Sequence, residues 1–145
     1  DLASIADQKK VELIQEEGDC TVTGSYLLLY RAVYNLVENA IKYNHSGGKV
    51  TVKISQKKDL PAAHSKPTDY ALVEVTDTGI GISPEFQEKI FDPFFRVDKS
   101  RSRAMGGAGL GLALVNEIAR QHGGQVKVLA SSEQGSTIAL VLPLS

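Results

Sequence analysis

The sequence predicts a single α+β domain, and three observations carry that expectation. The segment from about Tyr26 to Asn44 places Leu29, Ala32, Val33, Leu36, Val37, Ala40 and Ile41 at the i, i+3, i+4 spacing of a helix with one buried face. Other segments, KVTVKIS and YALVEVTD among them, alternate with a period of two, as half-buried strands do. The chain has 145 residues, 42% of them hydrophobic and 23% charged, which suits one globular domain with a full core.

In chain order, residues 2–9 resemble the tail of a helix, and the first ten residues are expected to be the end of a preceding helical domain or a linker. VELI and CTVTG then predict two short strands around a polar turn. Ser25 is placed to cap the long helix, and HSGG stops it. KVTVKIS and YALVEVTD predict the next two strands, separated by a polar, Pro-containing surface loop from Gln56 to Asp69. Ser83 followed by Pro84 predicts a short helix to about Ile90, because proline is tolerated in a first turn. The stretch from Phe91 to Gly107 is basic, glycine-rich and aperiodic, longer than a compact domain usually leaves irregular without a function, and it suggests a lid. Leu110 to Gln121 predicts a second apolar helix ended by Gly123 and Gly124, and QVKVLAS and STIALVLPL predict two closing strands around Gly135.

Composition excludes several functions. A formal net charge of −1 provides no global field to attract nucleic acid or an anionic membrane, so any phosphate must be bound by a local cluster. The single cysteine, Cys20, cannot form an internal disulfide and fits a reducing, cytoplasmic setting. No apolar run approaches the roughly 20 residues of a membrane span, and no basic-then-apolar leader opens the chain.

Three constellations could carry chemistry. On the long helix, Asn39 and Lys42 each lie within about 40° of Asn35, with Glu38 just beside them and the apolar stripe elsewhere. Two amide side chains one turn apart can hold a hydrated hard cation through oxygen, and a lysine can reach a phosphate. A solvated helix face would look the same, and spacing alone leaves both readings open. The second constellation is DTGIGI, Asp77 to Ile82, at a strand end. The Asp77 carboxylate is an acceptor suited to an exocyclic amine such as that of adenine, and Gly79 and Gly81 let backbone pass close to a flat ligand, although Asp-x-Gly also makes ordinary turns. The third is GGAGLGL, Gly106 to Leu112, where glycines run into a helix N-terminus and present free N–H groups to an anion. No G-x-x-x-x-G-K-[ST] loop and no strand-borne G-x-G-x-x-G is present, which excludes the two commonest nucleotide folds.

Taken in order, NLVENAIKYN, DTGIGI, IFDPFFRVD, GGAGLGL and GST resemble the boxes of the catalytic ATP-binding domain of two-component sensor histidine kinases, over about Val22 to Leu144. The resemblance implies a two-layer α/β sandwich, a mixed sheet of about five strands on three helices with a flexible ATP lid over 91–107, shared with gyrase, heat-shock chaperone and mismatch-repair ATPases. It implies ATP and Mg2+ as ligands, with Asn39 on the metal, Lys42 at the phosphates and Tyr43 by the adenine or ribose. Asp77 would read adenine, with Gly79, Gly81 and Ile82 shaping that pocket. Phe91, Phe94 and Phe95 match the aromatic box at the hinge of the lid, where they read as core anchors for the lid rather than ligand contacts. Arg96 and Arg101 would approach the phosphates, although Lys99, Arg101 and Arg103 also suit a solvated basic loop. Gly107, Ala108, Gly109, Leu110, Gly111 and Leu112 match the second glycine box, and Gly135 to Thr137 match the pocket floor.

Asn35, Glu38, Lys42 and Arg96 are the candidate catalytic groups. Related ATPases place a water-activating glutamate where this chain has Asn35, which cannot accept a proton at neutral pH, so phosphotransfer is expected over hydrolysis. None of His45, His64 and His122 lies in the helical setting of a phosphoacceptor, and all three read as surface or capping residues. The expected partners are therefore a histidine-bearing dimerisation domain absent from this chain and a response regulator. Nucleic acid and direct membrane contact are not expected, and the isolated domain should be monomeric, within a full-length protein anchored in a membrane. An anti-sigma serine kinase, an ATPase of the same fold and a non-catalytic nucleotide-dependent module are the alternatives.

Overall fold

A computed structural model describes residues 2–16, 18, 22, 24–57, 69–93 and 111–144. The chain runs α1 (Leu2–Lys9), β1 (Glu12–Gln15), α2 (Tyr26–Lys42), β2 (Lys49–Lys57), β3 (Tyr70–Asp77), two 3-10 turns (Pro84–Phe86 and Lys89–Phe91), α3 (Gly111–Gln121), β4 (Gln125–Ser132) and β5 (Gly135–Pro143). The strands form one five-stranded sheet in the order β1-β2-β3-β5-β4. Only the β1–β2 pair is parallel, so the sheet is mixed, as expected.

One face of this sheet meets the helices. Its inward row pairs Val52 with Val75, Ile54 with Val73, Val75 with Ile138 and Val73 with Leu140. These side chains join Leu36, Val37, Ala40 and Ile41 of α2 and Val115, Ile118 and Ala119 of α3 in one core. Complete burial of Leu36 and Ile41 stabilises the fold by about 1.5–3 kcal/mol each. Residues 2–11 pack on this core: Ala6 and Val11 lie in it, Leu2 and Ile5 pack against it, and the Lys10 carbonyl accepts from Gly47 N–H at 2.7 Å.

Ser25 caps α2 as the sequence predicts, its Oγ accepting from Leu28 N–H at 3.3 Å. The helix stops at Lys42, two residues before the expected end, because the Asn44 side chain turns to the sheet. The short helix expected from Ser83 to Ile90 is instead two 3-10 turns, with Phe86 N–H on Ser83 O at 2.9 Å and Asp92 N–H on Lys89 O at 2.9 Å. Asp92 precedes a proline and is extended, so the helix has too few residues to establish itself. Of the strand expected at CTVTG, only Val22 and Gly24 are described, and neither is in a strand.

His122, expected to be a surface or capping residue, joins two helices. Its Nδ1 lies 2.8 Å from Ile118 O at the end of α3, and its Nε2 accepts from Ser25 N–H, at the start of α2, at 3.1 Å. That pairing fixes the neutral Nδ1–H tautomer, since a carbonyl can only accept and an amide N–H only donate. Truncating His122→Ala leaves a part-buried N–H without its acceptor and is expected to lower stability by about 1–3 kcal/mol, measurable as a reduced urea midpoint at unchanged m-value.

Candidate nucleotide site

The inward row of the sheet changes character where the core ends. Val75 pairs with Ile138, and the next inward pair is Asp77 with Ser136. Period two in β3 puts Asp77 on the same face as Ala71, Val73 and Val75, so its carboxylate opens on the helix side. Both carboxylate oxygens are held: Oδ1 accepts from Gly79 N–H at 2.8 Å and Oδ2 from Ser136 Oγ–H at 3.0 Å. The carboxylate as a whole keeps acceptor capacity for a ligand donor. Burial pushes the Asp77 carboxyl above its ordinary pKa, while the bonds from Gly79 and Ser136 and the charge of His45 pull the other way.

Two glycines let the loop after Asp77 pack closely on its neighbours. A side chain on Gly79 would place its Cβ 2.5 Å from Tyr43 O and 3.2 Å from Asn44 Cα, so the loop after β3 lies directly on the end of α2. Gly81 has φ +77° and would drive a Cβ into Ser132 O. Ile82 donates its N–H to Ser131 Oγ at 2.7 Å and packs against the core, which fixes the loop on β4.

The last turns of α2 supply the other wall. Asn35, Glu38, Asn39, Lys42 and Tyr43 are all half-buried. Lys42 Nζ stands 3.6 Å from Glu38 Oε1, an i, i+4 pair in which both side chains are about one-third exposed. Tyr43 caps the helix, its N–H on Asn39 O at 3.2 Å, beside the carbonyl that Gly79 approaches. Asp77 and the polar end of α2 therefore meet where the loop after β3 rests on Tyr43 and Asn44. Among the described residues no cluster of three or more His, Cys, Asp or Glu could hold a metal alone. A cation here would need amide oxygens and ligand phosphates.

Thr137 Oγ1 lies 2.9 Å from Thr76 Oγ1, on the sheet face away from the helices, and its neighbour Ser136 is the residue that meets Asp77. Counting back by twos from Leu142, Leu140 and Ile138 would have given Ser136 from sequence. Phe91 is 8% exposed and belongs to the core cluster, in line with core anchoring rather than ligand contact. Gly111 begins α3, and Leu112 packs against the core. Phe94, Phe95, Arg96, Arg101, Gly107, Ala108, Gly109 and Leu110 lie outside the described residues.

Residues 24–145 match the family model described as histidine kinase-, DNA gyrase B- and HSP90-like ATPase. The chain belongs to this ATPase family. ATP is accordingly its nucleotide. Among relatives of the family, the sensor-like histidine kinase SenX3 of Mycobacterium tuberculosis is 41% identical over 139 residues, which are 95% of this chain and 32% of that protein. The sensor histidine kinase RppB of Synechocystis is 39% identical over 127 residues, 88% of this chain and 26% of that protein. The chain thus spans about a third or less of these relatives. The solved structure of the mycobacterial sensor histidine kinase MprB has 32% identity and a TM-score of 0.76, covering 98% of this chain and 90% of that one. The catalytic domain of histidine kinase ThkA, at 24% identity and a TM-score of 0.73, shares the fold. No helix among the described residues is long and apolar enough to cross a membrane.

Proposed function

We propose that this domain binds Mg-ATP and transfers its γ-phosphoryl group to a histidine on a dimerisation domain outside this chain, for relay to a response-regulator aspartate. The observation that supports the reading is the Asp77 carboxylate, held by Gly79 and Ser136 at the end of the core row, beside the loop that rests on the end of α2. Asp77 would accept from the adenine amine, with Tyr43 and Ile82 beside the base. Lys42 and the lid residues Arg96 and Arg101 would meet phosphate oxygens, as would the amides of 107–112. Asn39 would hold the metal through its amide oxygen, and Mg2+, when bound, neutralises phosphate charge. The donor set fits that ion, since a hard cation accepts neutral amide oxygens alongside phosphate.

Little covalent chemistry falls to the domain, whose contribution is positioning and charge neutralisation. Asn35 stands where a water-activating base would be needed for hydrolysis and cannot take a proton there. Glu38 is engaged with Lys42, which supports an orienting role for it. Glu38→Gln is expected to raise the KM for ATP and lower kcat by less than about tenfold, where loss of a general base would cost about 100-fold or more.

The decisive experiment mixes this chain with ATP, Mg2+ and a separately produced histidine-bearing helical hairpin from the same kinase. Acid-labile phosphohistidine should form on the hairpin. ATP turnover without acceptor on the order of 1 per second, with no phosphohistidine, would favour a hydrolase of the same fold. The full-length kinase is proposed to be a membrane-anchored sensor with this domain in the cytoplasm, monomeric when isolated.

A further inference from the structure

Asn44 has no part in the nucleotide chemistry above, yet it is 3% exposed, one of two buried polar residues among those described. Three of its amide's four hydrogen-bonding positions are paired. Nδ2–H donates to Lys49 O, at the start of β2, at 2.8 Å. Oδ1 accepts from its neighbour His45 N–H at 2.8 Å and from Thr78 Oγ–H at 3.2 Å. Thr78 completes the group: its Oγ1 accepts from Lys49 N–H at 2.8 Å, and its own N–H donates to Lys49 O at 3.1 Å. Lys49 O, 3.4 Å from Thr78 Oγ1, is the alternative acceptor for that hydroxyl.

The bond to His45 is a local turn contact that would serve only to end α2. The other two reach beyond the helix, one of them to a residue 34 positions away. Asn44 lies two residues past Lys42 and five past Asn39, and Thr78 is the residue after Asp77. The Asn44–Thr78–Lys49 group therefore ties the phosphate-side helix directly to the base-side loop, at the point where the two walls of the site touch.

We infer that Asn44 and Thr78 are positioning residues that set the register between the adenine-reading carboxylate and the phosphate-binding end of α2. This rests on the nucleotide reading of the same site. A ligand gripped at both ends gains affinity from linkage only while the two subsites keep the spacing of the ligand, and a shift of about 1 Å forfeits much of that gain. A ligand touching one wall alone is indifferent to the spacing.

The test compares ATP, adenosine and inorganic tripolyphosphate, the last with Mg2+, by competition against a fluorescent ATP analogue on the wild-type chain and on Asn44→Ala, Thr78→Val and Thr78→Ser. ATP affinity should fall about tenfold or more in Asn44→Ala and Thr78→Val, with adenosine and tripolyphosphate each within about twofold of wild type, and Thr78→Ser, which keeps the hydroxyl, should restore ATP binding. Should Asn44→Ala fail to fold, the exposed Thr78 pair decides. Equal losses for all three ligands would overturn the inference in favour of general damage to the pocket, as would unchanged ATP affinity. A wild-type chain that binds ATP but shows either outcome leaves the nucleotide reading standing, whereas one that binds none of the ligands removes both.

Discussion

Asp77→Asn should weaken ATP binding by about 10- to 150-fold, the value of a hydrogen bond to a charged group of about 1.5–3 kcal/mol, while leaving the apo domain as stable as the wild type or more so. The two halves of this expectation come from the same environment. Burial raises the Asp77 carboxyl above its ordinary 3.8, and the bonds from Gly79 and Ser136 offset only part of that. The folded chain thus holds this proton more tightly than the unfolded chain does. Stability attributable to Asp77 is complete below pH 3.8, falls as pH rises through the raised value, and stays reduced at neutral pH. Asparagine has no such ionisation to disfavour, and its oxygen can still accept from Gly79 N–H. Thermal melts of the two apo proteins against pH should therefore diverge above that window, with the variant melting at or above the wild type. ATP affinity has the opposite pH sign. It requires the ionised acceptor, so wild-type affinity should drop on acidification earlier than an ordinary aspartate would allow. A variant that bound ATP as tightly as the wild type would remove Asp77 from the base pocket.

The sequence carried the large elements because their signals are repeated. The apolar stripe of α2 recurs over 17 residues with a serine cap, and the alternation of β3 is enough by itself to place Asp77 on the inward row. The same rule, applied to β5, distinguishes Ser136 from Thr137, and the family-like GST triplet obscured that simple count. Other features depend on partners far along the chain. His122 bonds a residue 97 positions away and Asn44 one 34 away, and neither pairing leaves a periodic trace. The segment 83–91 misled because Ser-Pro is a fair helix start, while Asp92 before Pro93 leaves too few residues to continue one. Residues 2–10 look like the tail of a helix, and the burial of Ala6 with the packing of Leu2 and Ile5 on the core is a contact that no local pattern announces.

Asn39→Ala is expected to abolish the Mg2+ dependence of ATP binding and to slow phosphotransfer to a supplied histidine hairpin by about 100-fold or more, as removal of a preorganised charge-stabilising group does. The substitution is unusually clean in structural terms. Alanine is the best helix former, and the bond that ends α2, from Tyr43 N–H to the Asn39 carbonyl, uses backbone alone and survives truncation of the side chain. Asn39 lies half-buried between Asn35 and Tyr43 on the polar stripe, outside the apolar core. Stability should therefore change little while the metal contact is lost. The measurement is ATP affinity with Mg2+ and with a chelator, for the wild type and the variant. The wild type should bind more tightly with the ion; the variant should bind equally in both, near the chelated wild-type value. Lys42→Ala provides the contrast, because an ammonium on phosphate acts with or without metal, so its loss should weaken ATP under both conditions and preserve the ratio. If Asn39→Ala kept the wild-type ratio, the ion would be held by another oxygen on this face. Glu38 would then be the first residue to test, and its pairing with Lys42 at 3.6 Å would be read as a contact that the ion replaces.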